Sequence, residues 1–194
     1  MNIEEEFLSN VTDEKLRSSR RKQKNSKNKG NRGERDCKDI LNKRFEGIAV
    51  FSRTPMSGAY VGGVNREKKD YLTEAQKEMM TSDIFCNSSK FKFSIEHKNY
   101  SKDKATIWEF FNEKSDLHSW YEQSERDAKS IGKMPLLIVK YDNHKRIVYI
   151  PFDYVREYSS KKHIDIEPVF LHRGRLCYWL EDLLTLPDDF FFET

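Results

Sequence analysis

The segment Phe91–Lys98, with the sequence FKFSIEHK, is the feature that most restricts how this chain can fold. Apolar and polar residues alternate through it with a period of two, which is typical of a β-strand and does not suit a helix. The alternation places Glu96 and Lys98 together on one face of the strand. It places Ile95 and His97 on the opposite, apolar face, so we expect His97 to be a packed core histidine.

The segments around this strand predict an α/β fold with a central mixed β-sheet flanked by helices. Apolar residues at helical spacing predict a helix over 29–45, and the capping box from Thr73 to Gln76 predicts a short helix over 74–80. The predicted order is helix, strand, short helix, two strands, helix and two strands, which gives an α/β sandwich with one core. The predicted strands and the second long helix are 48–53, 82–86, 91–98, 135–141, 145–150 and a helix from Asp116 to Gly132.

Positive charge is concentrated near the N-terminus, although the net charge of the 194-residue chain is only +3. The run from Lys15 to Arg32 carries nine positive charges and no acid. Such a run favours contact with a polyanion, and the alternative is a solvated tail that aids solubility. We therefore predict a flexible basic extension over 1–28, a core over 29–150, and a C-terminal extension over 151–194 that packs on the core and ends in an acidic, aromatic tail. That tail either docks onto a surface or frays.

Cysteine usage and hydropathy exclude several classes of protein. The three cysteines are widely spaced, so neither a disulfide framework nor a CxxC metal site is expected. The N-terminal segment is acidic and lacks the apolar region of a signal peptide, and no stretch approaches the length of a membrane span. These features predict a protein of the cytoplasm.

Asp83, Glu96 and Lys98 form the strongest candidate for a chemical site. If the strand over 82–86 pairs with the next strand as a hairpin, Asp83 lies beside Glu96, and two carboxylates and an ammonium share a small volume. Hard cations such as Mg²⁺ bind through one or two carboxylates, with water and substrate phosphate completing the shell. The alternative interpretation is a cross-strand salt bridge on a solvated face.

Several motifs in one order carry a family resemblance over the range from Lys29 to Tyr141. They are GNRGER (30–35), SRTPMSGA (52–59), SDI (82–84), IEHK (95–98), WYEQ (120–123) and GKMPLL (132–137). In this order they resemble the PD-(D/E)XK nuclease superfamily, and within it the archaeal-type Holliday-junction resolvases. The resemblance implies a restriction-endonuclease-like core and a metal-dependent DNA endonuclease.

The resemblance also implies roles for individual residues. Glu34, Asp83 and Glu96 would surround Mg²⁺, for which Mn²⁺ would substitute. Lys98 would be catalytic, Ser57 would contact the scissile phosphate, and Gln123 would support the site. Arg53 is either a surface charge or a phosphate clamp. The other residues expected to bind DNA are Arg21, Lys27, Lys29, Arg32 and Arg35.

The substrate expected from the resemblance is branched DNA, such as a Holliday junction formed during recombination or repair. Resolvases of this kind act as twofold dimers, so a homodimer is expected. Two departures leave other substrates open: an insertion over 62–81, and the region after Tyr149, which has no recognisable counterpart. The alternatives are a restriction-type or end-processing nuclease of the same fold, and a DNA-binding module without activity. A small, basic chain with one domain would suit an enzyme encoded by a virus or mobile element.

Overall fold

The chain is described by a computed structural model over residues 18–19, 25, 28–54, 72–100, 112, 115–164 and 166–193. Ser57, Arg21 and Lys27 lie outside the described residues. So do most of the predicted extension over 1–28 and the first part of the insertion over 62–81.

A mixed sheet forms the centre of the described part, which confirms the predicted fold class. Its strands are β1 (Phe51–Arg53), β2 (Ile84–Cys86), β3 (Phe93–Tyr100), β4 (Met134–Tyr141), β5 (Arg146–Pro151), β6 (Phe170–His172) and β7 (Arg175–Trp179). The sheet order is β1-β2-β3-β4-β5-β7-β6, with β3 and β4 parallel and the other neighbours antiparallel. The helices are α1 (28–44), α2 (Glu74–Thr81), α3 (Asp116–Lys129), α4 (Phe152–Lys162), α5 (Leu180–Leu183) and α6 (Asp188–Phe191).

The two long helices α1 and α3 cover opposite faces of the sheet. Cys37, Leu41 and Phe45 of α1 pack in one core cluster with Phe93 and Ile95 of β3. A second cluster joins α3 to the other face of β4 and β5, and it includes Leu117, Tyr121, Leu137 and Val139. Strand β3 is therefore covered on both sides, and its alternating residues sort between the two helices.

The hairpin of β2 and β3 confirms the predicted neighbourhood of Asp83. Ile84 pairs with Ile95 in the antiparallel register, and the Asp83 amide donates to the Ile95 carbonyl over 2.9 Å. The predicted short helix is also present, because the Thr73 hydroxyl accepts from the Gln76 amide and the Gln76 side chain accepts from the Thr73 amide.

The first strand begins later than the sequence predicts. We expected a strand over 48–53, whereas β1 covers Phe51–Arg53. The helix α1 ends in a turn in which Gly47 has a φ of +78° and the Ile48 amide donates to the Phe45 carbonyl. Ile48 belongs to that turn and is 47% exposed, so its β-branched side chain gives a misleading strand signal.

The C-terminal tail is packed, and the possibility that it frays is wrong. Phe190, Phe191 and Phe192 are buried against β3 and α4. The Lys92 amide donates to the Phe191 carbonyl over 2.9 Å, and Phe192 forms an isolated bridge with Phe91. The tail is tied to the segment leading into β3, so it stabilises the strand that carries Glu96 and Lys98.

None of the helices in the described ranges is both long and apolar enough to cross a lipid bilayer. Cys37, Cys86 and Cys177 are buried free thiols.

Candidate active site

The backbone of β3 holds the carboxylate of Asp83. Asp83 directly precedes β2, its Oδ2 accepts a hydrogen bond of 2.9 Å from the His97 amide, and the residue is 9% exposed. Next to Asp83, the hydroxyls of Ser82 and Ser94 form a hydrogen bond of 2.8 Å across the hairpin. Asp83 is thus positioned by the same strand that carries the other candidate residues.

Glu96 is the most connected side chain of the cluster. It is 5% exposed, and its Oε1 accepts from the Lys98 ammonium at 2.5 Å and from the Gln123 amide at 3.1 Å. Gln123 projects from α3 onto the face of β3 that bears Glu96 and Lys98. The structure therefore brings Asp83, Glu96, Lys98 and Gln123 together, although they lie up to 40 positions apart in the sequence.

Burial and the neighbouring carboxylate dominate the electrostatics of this cluster. Burial, followed by the charge of Asp83, raises the pKa of Glu96 to about 8, against the opposing effect of Lys98. Burial by itself would lower the pKa of Lys98, but the adjacent Glu96 and Asp83 raise it above its usual value. Two carboxylates thus lie in a low-dielectric environment with one ammonium, an arrangement that favours the protonated form of Glu96 unless a further cation is present.

The donor set suits a hard divalent cation. Two buried carboxylates supply oxygen ligands, and a cation would oppose the burial and the Asp83 charge that raise the pKa of Glu96. Within the described ranges, no group of three or more His, Cys, Asp or Glu side chains is arranged to hold a metal ion. Asp83 and Glu96 supply two carboxylates, the number that Mg²⁺ commonly takes from a protein, and their metal role stays a prediction.

Glu34 and Arg53 form a separate contact on the side of the sheet covered by α1. The Arg53 Nε donates to Glu34 Oε2, and its Nη2 donates to Asn31 Oδ1 over 2.6 Å. No hydrogen bond joins Glu34 to Asp83 or Glu96 among the residues described. A metal role for Glu34 and a phosphate role for Arg53 both stay predictions.

His97 is a packed histidine, as the alternation predicts. It is 4% exposed, and its ring lies so close to Gly33 that a Cβ on Gly33 would come within 2.7 Å of His97 Cε1. Burial, with smaller effects of Arg146 and Lys98, lowers the pKa of His97 to about 3. The ring is neutral at ordinary pH. His97 contributes to the site through its backbone amide, which donates to Asp83, and not through its side chain.

The residues predicted to bind DNA are dispersed along α1 where the structure describes them. Lys29 donates to Asp142 Oδ2 over 2.6 Å, and Arg32 and Arg35 are exposed. Sequence reasoning missed Asn31, the second partner of Arg53, and Arg146, which lies near His97. Asn31 belongs to the GNRGER motif, so the motif could have identified it as a candidate site residue. Arg146 begins an ordinary hairpin strand, and no sequence pattern around it indicates a role.

All the described residues of this cluster lie within one match to a known protein family. The model of the family described as phage putative PDDEXK endonuclease matches residues 25–179. No curated protein and no solved structure matches the chain. The match confirms the predicted PD-(D/E)XK superfamily and extends past Tyr149 to the end of β7. The narrower resemblance to archaeal-type resolvases stays a prediction.

Proposed function

The chain belongs to the phage putative PDDEXK endonuclease family, and on that premise we propose that it is a divalent-metal-dependent endonuclease that hydrolyses phosphodiester bonds in DNA. The observation that carries the proposal is the buried pair of carboxylates, Asp83 and Glu96, with the ammonium of Lys98 donating to Glu96 at 2.5 Å. An exposed salt bridge would not need to bury two acids beside one base, because that arrangement costs desolvation energy, which a bound cation would offset.

Asp83 and Glu96 would hold the metal ion, which we propose to be Mg²⁺ with Mn²⁺ able to replace it. When bound, such an ion polarises the phosphoryl group and lowers the pKa of its water. The His97 amide fixes Asp83, and Gln123 fixes Glu96 from α3, so neither carboxylate can swing away from the other. Lys98 stands on the same face, where its ammonium would orient the attacking water or offset charge in the transition state.

The remaining predicted site residues complete the proposal. Glu34 would supply a third carboxylate for the metal, and Arg53, its hydrogen-bond partner, would contact a phosphate. Ser57 would contact the scissile phosphate. The basic extension over 1–28 would add phosphate affinity without sequence preference, and this affinity should fall steeply as the salt concentration rises.

We propose branched DNA as the substrate, with a four-way junction as its simplest form. The support is the order of the motifs from Lys29 to Tyr141, which resembles that of archaeal-type resolvases. A homodimer follows from the same resemblance, because a four-way junction offers two symmetry-related cuts and a twofold dimer presents two sites.

A panel of substrates tests this proposal. Purified protein would be incubated with a labelled four-way junction, a linear duplex of the same sequence and a single strand, each with Mg²⁺ and with EDTA. Paired nicks on the junction alone, lost in EDTA, are the expected result. Equal cutting of the linear duplex would replace the junction with a restriction-type or end-processing substrate. Binding of DNA without any cutting in Mg²⁺ or Mn²⁺ would mean that the chain is a DNA-binding module.

A further inference from the structure

A basic cleft lies on the α1 side of the sheet, away from the Glu96 face. It opens where β3 and β4 end and β5 begins, under the N-terminal part of α1, and its volume is about 460 Å³. The side chains that matter for its chemistry are Lys29, Arg32, Asn99, Lys140, Asp142 and Arg146. We refer to these six residues as the Arg146 cleft.

The register of the sheet builds the floor of the cleft. Asn99 of β3 pairs with Lys140 of β4, and Lys140 pairs with Arg146 of β5. The three side chains therefore form a row across three adjacent strands and share one face. Helix α1 closes the other wall, because the Asn99 amide donates to the Lys29 carbonyl over 3.0 Å.

Arg146 is the unusual member of the row. Its Nε is buried and has no hydrogen-bond partner among the residues that the structure describes. A buried donor without a partner costs free energy, and a charged donor costs more than a neutral one. The position thus holds a half-buried cation whose Nε has no partner among the described residues.

The other charges of the cleft are partly satisfied. Lys29 is paired with Asp142, and the Lys140 ammonium donates to the His144 carbonyl. Arg32 is exposed, the Arg146 Nε has no hydrogen-bond partner among the described residues, and Asp36 is the remaining acid of the lining. The cleft therefore has a net positive charge and presents a guanidinium fork, which matches the oxygens of a phosphate better than any point charge does.

We infer that the Arg146 cleft binds a backbone phosphate of the DNA substrate at a position away from the scissile bond. Lys98 and Asn99 are consecutive in β3 and point to opposite faces, so the cleft and the carboxylate cluster lie at the same end of the sheet. Two neighbouring phosphodiester groups of one substrate could therefore contact the two faces of β3. The described lining has no aromatic ring on which a base would stack, which favours a backbone phosphate over a free nucleotide.

The inference rests on the proposed function, and its test measures binding separately from cleavage. Fluorescence anisotropy would follow a labelled duplex with the parent protein and with Arg146→Gln, in Ca²⁺ to prevent cutting, over a series of salt concentrations. Arg146→Gln should bind about tenfold more weakly. Its plot of log affinity against log salt should be shallower by about 0.9, the value for one lost phosphate contact.

Lys145→Gln is the matched control, because it removes the same charge from the adjacent position. Lys145 is exposed and lies over the Trp179 ring at 5.7 Å, outside the cleft. Its affinity and salt slope should stay close to those of the parent. Equal losses in the two variants would overturn the inference, since they would show only a general effect of charge.

A thermal-shift series with inorganic phosphate separates a DNA contact from a site for free anions. Phosphate should raise the melting temperature of the parent and not that of Arg146→Gln, whose own melting temperature reports that it folds. A phosphate effect that depends on Arg146 without any change in DNA binding would overturn the assignment to DNA. Mg²⁺-dependent cleavage by a protein whose DNA affinity does not depend on Arg146 would refute the phosphate site and leave the proposed nuclease activity intact. DNA affinity that depends on Arg146, without any cleavage, would support the phosphate site and refute the nuclease activity.

Discussion

Replacement of Gly33 by alanine tests how closely α1 must approach the strand that carries the active site. A Cβ at Gly33 would lie 2.5 Å from Asn99 Nδ2 and 2.7 Å from His97 Cε1. Neither neighbour can move freely, because the Asn99 amide donates to the Lys29 carbonyl and His97 is 4% exposed. Gly33→Ala therefore forces α1 away from β3.

The size of the effect follows from two opposing contributions. Alanine favours a helix over glycine by up to about 1 kcal/mol, whereas overpacking a tight contact costs about 1–3 kcal/mol. Gly30→Ala is the matched control, because Gly30 lies in the same helix and a Cβ there would meet no atom within 4 Å. Gly33→Ala should thus be less stable than Gly30→Ala by about 1–3 kcal/mol, the overpacking cost alone.

Urea-induced unfolding at equilibrium measures this difference directly. The unfolding midpoint of Gly33→Ala should fall relative to Gly30→Ala with no change in the m-value. In a thermal melt the corresponding shift is about 2–4 °C for each kcal/mol in a domain of this size. If the two variants prove equally stable, the close approach of α1 to β3 is wrong.

Three further outcomes are expected. Phe190→Ala should lower the free energy of unfolding by about 3–5 kcal/mol, because the ring is fully buried, whereas Leu171→Ala, at a 57% exposed position, should change it by less than about 0.5 kcal/mol in a urea titration. Gln123→Ala should slow DNA cleavage roughly tenfold and lower the melting temperature by only about 2–4 °C, because Glu96 loses one hydrogen-bond donor worth about 1 kcal/mol. Glu122→Ala, on the exposed side of α3, should cut and melt like the parent. Burial raises the pKa of Cys37 to about 12 and also raises the pKa values of Cys86 and Cys177. A thiol reagent should therefore react with the three cysteines only after unfolding, and rapid reaction of the native protein would contradict their packing.

The local patterns of the sequence predict the part of the fold that carries the site. The alternation in β3 and the polar residue before β2 place Asp83, Glu96 and Lys98 correctly, because strand period and hairpin pairing are local rules. The stripe of Leu117, Tyr121 and their neighbours similarly identifies the covered face of α3.

The contacts that local patterns miss are those made between distant elements. Arg53 is a lone charge at a strand end, and nothing in its neighbours predicts that it meets Glu34 and Asn31. Arg146 likewise becomes unusual only when α1 covers its strand. The aromatic tail is compatible with either a frayed or a buried end, and the packing of Phe190 against β3 and α4 is what distinguishes the two.

Cleavage kinetics of two variants that each remove one charge from the cluster test the central claim most directly. Single-turnover rates on DNA in Mg²⁺ would be compared for the parent, Asp83→Asn and Lys98→Gln, with Asp39→Asn and Lys90→Gln as controls at exposed positions. The account predicts that EDTA abolishes cleavage by the parent and that both site variants are slowed at least roughly 10²-fold, while the controls match the parent. Site variants that cut as fast as the controls would show that the buried carboxylates and lysine are a structural ion pair.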